Sequence, residues 1–428
     1  MNNRDGSKNF TSGRPLVLIS NSSWYINHYR KSLIKTLTRD GQNVIALSPI
    51  DSSSSQLSSN LLHIPLDISR SRNFNLFYLF LSLIKLLVLV RCIKPKLIHS
   101  HTIKANLLTS IVSSFYGIPC VLSFAGMGKL SKSKGLGRLL ILSVLYIIRI
   151  FSNYQNFLSF SIKSNSKRCA FIFQNPRDLK TFGNFFVYKN NSQSKLVLGS
   201  GVPPKYFNTK LNTLWHNYSF NNVEHKSNFT FIFCARLLRS KGVITFKKLS
   251  EKLSIHEFIA FGGIDPSNND SLSELDISDL TRNSNNLRFI GHKINPLLDL
   301  DYPLPVLVIP SNYGEGLPRT IAECLALKIP VICSKNASCD VFTDDYVYIS
   351  NGNNVQDYIE CFFRLKNDCK TGKIVNKLDN GYSFANDFLL EDRIIERTVN
   401  IYSELEDNFL FDKSLFKGYS NFDNWLSQ

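Results

Sequence analysis

Residues 310–330 read PSNYGEGLPRTIAECLALKIP. This stretch follows an apolar run, Val306–Ile309, which is typical of a buried strand, and its later part predicts a helix over Pro318–Leu327. The loop between them offers free backbone N–H groups and the positive end of the helix dipole. This order of strand, loop and helix indicates an α/β sheet with a ligand site where the strand ends.

Two glutamates stand eight residues apart in this stretch: Glu315 lies in the loop and Glu323 inside the predicted helix. A carboxylate in the loop can accept hydrogen bonds from sugar hydroxyls, and one further along the helix can hold a ribose. Gly316 lets a ligand approach the backbone closely, and Pro318 suits a first helical turn. The alternative interpretation is an ordinary glutamate at a helix start, followed by a solvated one.

Strand and helix patterns alternate along the rest of the chain, which has 428 residues, 43% of them hydrophobic. This length suits two large domains, and the alternation predicts an α/β fold with two doubly wound parallel sheets that face each other across a cleft. Residues 202–228 are rich in Pro and Asn, so we place the domains at 1–204 and 205–428, with the last helix able to cross back. The predicted strands are Pro15–Ser20, Asn43–Ser48, Leu97–His101, Pro119–Phe124, Phe229–Cys234, Phe258–Phe261, Leu287–Ile290, Val306–Ile309 and Pro330–Cys333.

Two further loops follow predicted strands. In ARLLRSKG, residues 235–242, Arg236 and Lys241 are two cations that can neutralise a diphosphate as a leaving group departs. The alternative is a solvated basic loop. The glycines of 199–201, among them Gly201, permit a tight turn at the edge of the cleft, and a simple turn after a strand is the alternative.

Charge is distributed very unevenly along the chain, whose net charge is +17. Residues 1–200 carry 26 basic and 5 acidic side chains, and no Asp or Glu lies between Asp67 and Asp178. Such a block favours a polyanionic neighbour, which can be a membrane leaflet, a nucleic acid or a phosphorylated substrate. A nucleic-acid-binding protein needs exposed aromatics among its cations, whereas the cations here flank apolar helices.

One such helix, Leu139–Ile148, follows the basic turn that contains Lys129, Lys132 and Lys134. We expect this region to lie on an anionic membrane surface, and Phe74–Ile93 is the other candidate helix. The alternative is a buried helix beneath the sheet. Leu76–Val90 is about 15 residues, shorter than the roughly 20 of a membrane span, so we expect no transmembrane helix. Nine scattered cysteines and a polar start indicate the cytoplasm.

Seven segments follow one another along the chain: NSSWYINHYR at 21–30, HSHTIKAN at 99–106, FAGMG at 124–128, GSGVPPKYF at 199–207, ARLLRSKG at 235–242, FIGH at 289–292 and EGLPRTIAECLALKIPVI at 315–332. In this order they resemble retaining nucleotide-sugar glycosyltransferases of family 4, which have the GT-B fold. The resemblance is to the branch that acts on polyprenyl-diphosphate-linked sugars. Ser338–Asp340 departs from the Gly-Cys-Arg-Glu usual in that family.

The resemblance implies transfer of an N-acetylhexosamine or related hexose from a UDP-sugar to a lipid-linked saccharide, with retention. It implies a peripheral enzyme of surface polysaccharide, lipopolysaccharide (O-antigen) or glycan biosynthesis on the inner membrane face. No metal or other cofactor is expected, although Asp299–Asp301 spells a metal-binding Asp-x-Asp. The implied catalytic residues are Glu315, Arg236 and Lys241; those for the donor are Glu323, Gly316, Leu317, Pro318 and Gly201; those for the acceptor are Asn21, Ser22, Trp24, His101, Gly126 and Gly128.

Other functions fit the same sequence less well. A GT-B nucleotide-sugar epimerase needs acid and base groups near the sugar, and the acid-poor first half supplies few. A basic nucleic-acid-binding protein is the second alternative, and we expect no nucleic acid as a partner.

Overall fold

Seven parallel strands form the first sheet, in the order β3-β2-β1-β4-β5-β6-β7. The structure is a computed structural model that describes residues 13–57, 61–68, 76–127, 135–161, 168–186, 194–207, 215, 228–266, 268–282 and 284–406. The strands from β1 to β3 are added toward one edge of the sheet and those from β4 to β7 toward the other. The loops that follow β1 and β4 therefore border a crevice. The strands are β1 Leu16–Ser20, β2 Val44–Ser48, β3 Leu62–Pro65, β4 Leu97–His101, β5 Cys120–Phe124, β6 Cys169–Phe173 and β7 Ser194–Leu196.

Six helices accompany this sheet in the part of the chain that the structure describes: α1 Ser23–Tyr29, α2 Lys31–Arg39, α3 Leu76–Ile93, α4 Ile103–Tyr116, α5 Gly135–Ser161 and α6 Pro176–Phe186. The spacing of apolar residues over Trp24–Arg39 predicts one helix. That prediction is wrong, because Arg30 adopts a non-helical φ of −126° between α1 and α2. Its guanidinium instead turns into the protein and bonds to the ring of His101.

The second sheet has six parallel strands in the order β10-β9-β8-β11-β12-β13, so the prediction of two doubly wound parallel sheets is confirmed. Its strands are β8 Thr230–Cys234, β9 Glu257–Phe261, β10 Leu287–Gly291, β11 Pro305–Ile309, β12 Val331–Ser334 and β13 Tyr348–Ser350. The helices from residue 243 onward are α7 Val243–Lys252, α8 Glu274–Arg282, α9 Arg319–Ala326, α10 Lys335–Ser338, α11 Val355–Lys370, α12 Lys373–Phe384 and α13 Glu391–Leu405.

The last described helix, α13, packs against the first sheet. The hydroxyl of Tyr402 lies 2.6 Å from Nδ1 of His99 on β4, and Val202 pairs with Leu390 just before the helix. One apolar core contains side chains from both sheets and from α13. The two sheets are therefore packed around shared apolar side chains, while the limits 1–204 and 205–428 stay a prediction.

Helices α3 and α5 lie on either side of α4 and leave many apolar side chains exposed. By length and composition alone, 76–93 and 137–155 could each cross a membrane, with mean hydropathies of 2.3 and 1.3. The helix predicted at Phe74–Ile93 is present as Leu76–Ile93, which is 18 residues long and therefore longer than the apolar stretch Leu76–Val90 that it contains. We call its outer face and that of α5 the apolar surface: Leu76, Phe77, Tyr78, Phe80, Leu81, Ile84, Val88, Leu139, Leu140, Leu142, Tyr146, Ile147, Ile150 and Tyr154.

Candidate active site

The loop between β11 and α9 holds Glu315, as the sequence predicts, and its carboxylate is paired with the ammonium of Lys241. Lys241 ends a short helical turn after β8, which brings it to the same side of the second sheet. Ser311 also donates to this carboxylate, over 2.9 Å. The side chains of Lys241 and Glu315 are only 15% and 12% exposed, so water screens the pair weakly.

This pair places a cation and a carboxylate side by side at the carboxyl ends of β8 and β11. A cation there can contact a phosphate, and a carboxylate beside it can accept from a hydroxyl of the same ligand. The ring of Tyr313 lies 5.2 Å from the ammonium of Lys241. Burial and the charge of Glu315 raise the pKa of Tyr313 to about 12, so this phenol stays protonated at neutral pH.

Arg236 does not bond to the Lys241–Glu315 pair. Its Nη1 lies 2.8 Å from a carboxylate oxygen of Asp265, and its side chain is 54% exposed. Its charge does reach the site, because it opposes the rise in the pKa of Tyr313. An exposed guanidinium can turn to a ligand at a small cost, since exposed ion pairs contribute at most about 1 kcal/mol.

Glu323 lies inside α9, as predicted, and is 8% exposed. Nε of Arg319, one turn earlier, donates to its carboxylate over 2.8 Å. The same guanidinium donates to the backbone oxygen of His28 in α1 over 3.1 Å. Burial raises the pKa of Glu323, while the charge of Arg319 opposes the rise. Arg319 therefore joins the predicted ribose carboxylate to the first part of the chain, a link that no motif in the sequence indicates.

The other predicted donor residues lie around the same loop. Leu317 and Gly201 line a small pocket that Arg319 also borders, and Pro318 is the residue before α9. Gly201 has a φ of +84°, and a Cβ built on it would lie 2.5 Å from Cα of Glu391. The close packing of Gly201 against the start of α13 therefore explains why this position requires glycine.

The predicted acceptor residues that follow β1 are organised by Asp51. Its Oδ2 accepts from Oγ of Ser22 over 3.2 Å and from the backbone N–H of Trp24 over 3.1 Å. Ser22 also caps α1, and Asn21 precedes it at the end of β1. The indole of Trp24 stacks on His28 with ring centres 4.4 Å apart. These contacts fix the first loop of the crevice between β1 and β4.

His99 and His101 alternate at a strand end, which favours a His101 side chain that faces the cleft. In the structure His101 ends β4 and is fully buried. Nε of Arg30 donates to its Nε2 over 3.3 Å, while its Nδ1 has no hydrogen-bond partner among the described residues. Burial holds the pKa of His101 well below its usual range, so the ring is neutral at physiological pH. An acceptor contact for His101 stays a prediction.

The turn that follows β5, residues 125–127, packs directly against the Glu315 loop. A Cβ built on Gly126 would lie 2.6 Å from the backbone nitrogen of Gly316, and one built on Gly316 would lie 3.0 Å from the backbone carbon of Ala125. Glycine at both positions is what permits this approach of two backbones. The structure thus brings a predicted acceptor residue, Gly126, to a predicted donor residue, Gly316; Gly128 lies outside the described residues.

Sequence reasoning missed the segment after β6. Asn175 bonds to backbone oxygens of Glu315 and Gly316, and Arg177 forms an ion pair with Asp340. Asp178 ends the long segment that lacks acidic residues, and this was the one signal in the sequence that could have pointed to it. In the described part of the chain, no group of three or more His, Cys, Asp or Glu side chains is arranged to hold a metal ion.

Comparison with known proteins now defines the class. A family model described as glycosyl transferase 4-like matches residues 16–159, and one described as glycosyl transferases group 1 matches residues 216–376. No curated protein sequence matches the chain closely enough to count as a relative. Solved structures do resemble it over almost its whole length.

Sucrose-phosphate synthase from Thermosynechococcus elongatus is 16% identical, with a TM-score of 0.70, over 92% of this chain and 99% of that one. HepE from Anabaena in complex with UDP is 15% identical, with a TM-score of 0.67, over 91% and 100%. A glycosyltransferase from Rickettsia africae ESF-5 is 15% identical, with a TM-score of 0.64, over 92% and 100%. At these identities the likeness shows the fold, which is GT-B.

The fold and the two family models together define the protein. The models match both halves of the chain, and each describes glycosyl transferases. The chain is a GT-B glycosyltransferase, in which residues 16–159 match the glycosyl transferase 4-like model and residues 216–376 match the glycosyl transferases group 1 model.

Proposed function

We propose that this glycosyltransferase moves a sugar from a UDP-sugar to a lipid-linked saccharide, with retention of configuration, at the inner face of the membrane. The observation that carries the proposal is the buried pair of Lys241 and Glu315, set against the turn at Gly126. The UDP complex of HepE supports UDP as the nucleotide. The finer assignments, namely the polyprenyl-diphosphate carrier and an N-acetylhexosamine or related hexose, rest on the sequence resemblance.

In this proposal Lys241 and Arg236 stabilise the diphosphate as it leaves. Charge builds on the leaving oxygen while the bond to the sugar breaks, so a cation there acts most strongly in the transition state. Glu315 and the backbone of Gly316 and Leu317 hold the sugar. Glu323, oriented by Arg319, accepts from the ribose.

Retention suits a reaction on one face of the sugar. The bond from the anomeric carbon to the diphosphate oxygen breaks, a bond to the acceptor oxygen forms on the same face, and the acceptor proton passes to the departing phosphate. One carboxylate from the first half of the chain, that of Asp178 in α6, lies beside the turn. Its Oδ2 already accepts from the backbone N–H of Met127 and from Asn175, which makes it a poor nucleophile.

A lipid-linked acceptor requires a protein that contacts the bilayer, and the apolar surface can make this contact by inserting its side chains among the lipids. Helix α5 begins eight residues after Met127, so the acceptor turn and the apolar surface are close along the chain. Exposed cations, Lys85, Arg91 and Arg138, stand on the same helices and can contact anionic head groups.

These helices suit a position in the plane of the interface better than a span. Helix α3 lies between β3 and β4, and α5 between β5 and β6, and all four strands are parallel members of one sheet. A span by either helix would therefore draw the sheet into the hydrocarbon. Such a sheet has a polar edge that the bilayer cannot satisfy.

The test is a panel of UDP-sugars incubated with the purified protein and a lipid extract of bacterial membranes, scored by UDP release and by product mass. We expect one UDP-sugar to give UDP and a lipid product heavier by one sugar. Release of UDP with no heavier lipid contradicts the acceptor class. An isomerised nucleotide sugar without transfer would indicate an epimerase, and an inert panel would contradict the donor class.

A further inference from the structure

The segment after β6 joins two parts of the site that the sequence places about 190 residues apart. We call Asn175 and Asp178, together with their bonds, the Asn175 cluster. Nδ2 of Asn175 lies 2.7 Å from the backbone oxygen of Gly316 and 3.2 Å from that of Glu315. The side-chain amide is thus the donor for two consecutive carbonyls of the loop that carries Glu315.

Asp178 completes the cluster on the acceptor side. Its Oδ2 accepts from the backbone N–H of Met127 over 3.0 Å and from Nδ2 of Asn175 over 3.1 Å. Oδ1 of Asn175 in turn accepts from the backbone N–H of Asp178 over 2.7 Å. Both side chains are buried. One side chain therefore bonds to the donor loop, and its neighbour bonds to the acceptor turn.

The backbones that the Asn175 cluster holds have little room to shift. Gly126 and Gly316 are in direct contact, and a Cβ on Gly316 would lie 2.6 Å from Oε1 of Gln174. A small displacement of the turn at Gly126 or of the loop at Gly316 would break their contact or produce a clash. The bonds of Asn175 consequently determine where the Glu315 carboxylate stands relative to the turn at Gly126.

We propose that Asn175 is a positioning residue for the transfer step: it sets the Glu315–Gly316 segment against the acceptor turn, so that the sugar and the acceptor hydroxyl meet. This inference rests on the proposed function. It differs from a general clamp between the two sheets, which the exposed ion pair of Arg177 with Asp340 could also supply. Exposed pairs of that kind contribute little, whereas the Asn175 side chain is buried and its bonds to Glu315 and Gly316 are part-buried.

The experiment compares Asn175→Ala and Asn175→Asp with the matched control Arg177→Ala. Asn175→Asp keeps the size of the side chain and its acceptor for the Asp178 N–H, removes both donors, and sets a carboxylate beside that of Asp178. Asn175→Ala removes the donors without that added charge. We expect kcat for sugar transfer to fall about tenfold to a hundredfold in both Asn175 variants, because misplacement of reacting groups by about 1 Å has costs of this order. Arg177→Ala should keep kcat within about threefold of the wild type.

A comparison of kcat with UDP affinity and with KM for the donor separates a positioning role from a structural role. We expect UDP affinity by calorimetry and KM for the donor to change by less than about threefold, and hydrolysis of the donor by water to fall less than transfer does. Loss of UDP binding together with transfer would overturn the proposal in favour of a structural role. Wild-type kcat in Asn175→Asp, or an equal loss in Arg177→Ala, would also overturn it. Absence of transfer by the wild type would contradict the proposed function itself.

Discussion

Replacement of Lys241 by methionine tests the proposed phosphate contact, because it removes the charge and keeps most of the stem. If the ammonium stabilises the departing diphosphate, turnover should fall about a hundredfold, which is about 2.7 kcal/mol of transition-state stabilisation. Affinity for UDP should fall less, since UDP bound alone carries none of the charge that develops while the sugar–oxygen bond breaks. UDP-release kinetics and calorimetry with UDP measure the two quantities.

The same substitution has a second effect, which the structure allows us to separate. It leaves the Glu315 carboxylate, 12% exposed, with Ser311 as its remaining described donor. Loss of one partner of a buried pair costs about 3 kcal/mol of the free energy of unfolding, the lower end of the usual range because both side chains keep some exposure. Addition of Glu315→Gln removes the unpaired charge, so the double variant should regain about 1–2 kcal/mol.

The double variant thus distinguishes stability from catalysis. Its free energy of unfolding, measured by denaturant titration, should exceed that of Lys241→Met, while its turnover should remain at least as low. Unchanged turnover in Lys241→Met would refute Lys241 as a phosphate ligand. Recovery of turnover along with stability would show that the loss came from an unstable protein and not from the missing charge.

Three other predictions follow from the described contacts. Glu323→Gln should weaken UDP binding about tenfold, which corresponds to about 1.4 kcal/mol for a hydrogen bond to a charged group, while Glu315→Ala should lower turnover with a modest effect on UDP affinity. If calorimetry finds that UDP binding is lost in Glu315→Ala and kept in Glu323→Gln, the two roles are exchanged. Burial lowers the pKa of His256 to about 4, whereas a histidine in the unfolded chain has a pKa near 6.5, so the unfolded chain binds more protons between these two values. The free energy of unfolding should therefore fall by up to about 1.4 kcal/mol per pH unit as the pH drops from about 6.5 to 4. The same pH slope in His256→Gln as in the wild type would contradict this prediction. Vesicles with anionic lipid should bind the protein and release much of it at 1 M salt, where the screening length shortens to about 3 Å; equal flotation with neutral vesicles would contradict an electrostatic contribution. Joint neutralisation of Lys129, Lys132 and Lys134, which lie outside the described residues, should weaken flotation and leave UDP affinity unchanged. Loss of UDP binding in this triple variant would instead place these lysines in the substrate site.

The fold could be predicted because buried parallel strands are continuous apolar runs, which stand out between amphipathic helices. β1 and β11 fall within one residue of their predicted limits. β3 was missed because Leu62–Pro65 is short and no residue in it is fully buried, so its pattern lacks an apolar run. The break at Arg30 was missed because its cause, a bond to His101, joins residues 71 positions apart.

The site was predictable in its residue types and less so in its pairings. The spacing of Glu315 and Glu323 follows from a loop that enters a helix, and local sequence records that geometry. The pairing of Lys241 with Glu315 depends on how β8 lies beside β11. Asn175 carries no charge, and its carbonyl partners are about 140 residues away, so neither its residue type nor its spacing distinguishes it from a surface asparagine.

The most direct test of the account follows labelled sugar from the nucleotide to the lipid. The purified protein is incubated with a radiolabelled UDP-sugar, chosen from the panel, and membrane lipid, and the label that passes into the organic-solvent-extractable fraction is counted for the wild type and for Lys241→Met. We expect label in the lipid fraction with the wild type and about a hundredfold slower appearance with the variant. Label that stays in the aqueous fraction with every UDP-sugar, or appears equally fast with both proteins, would contradict it.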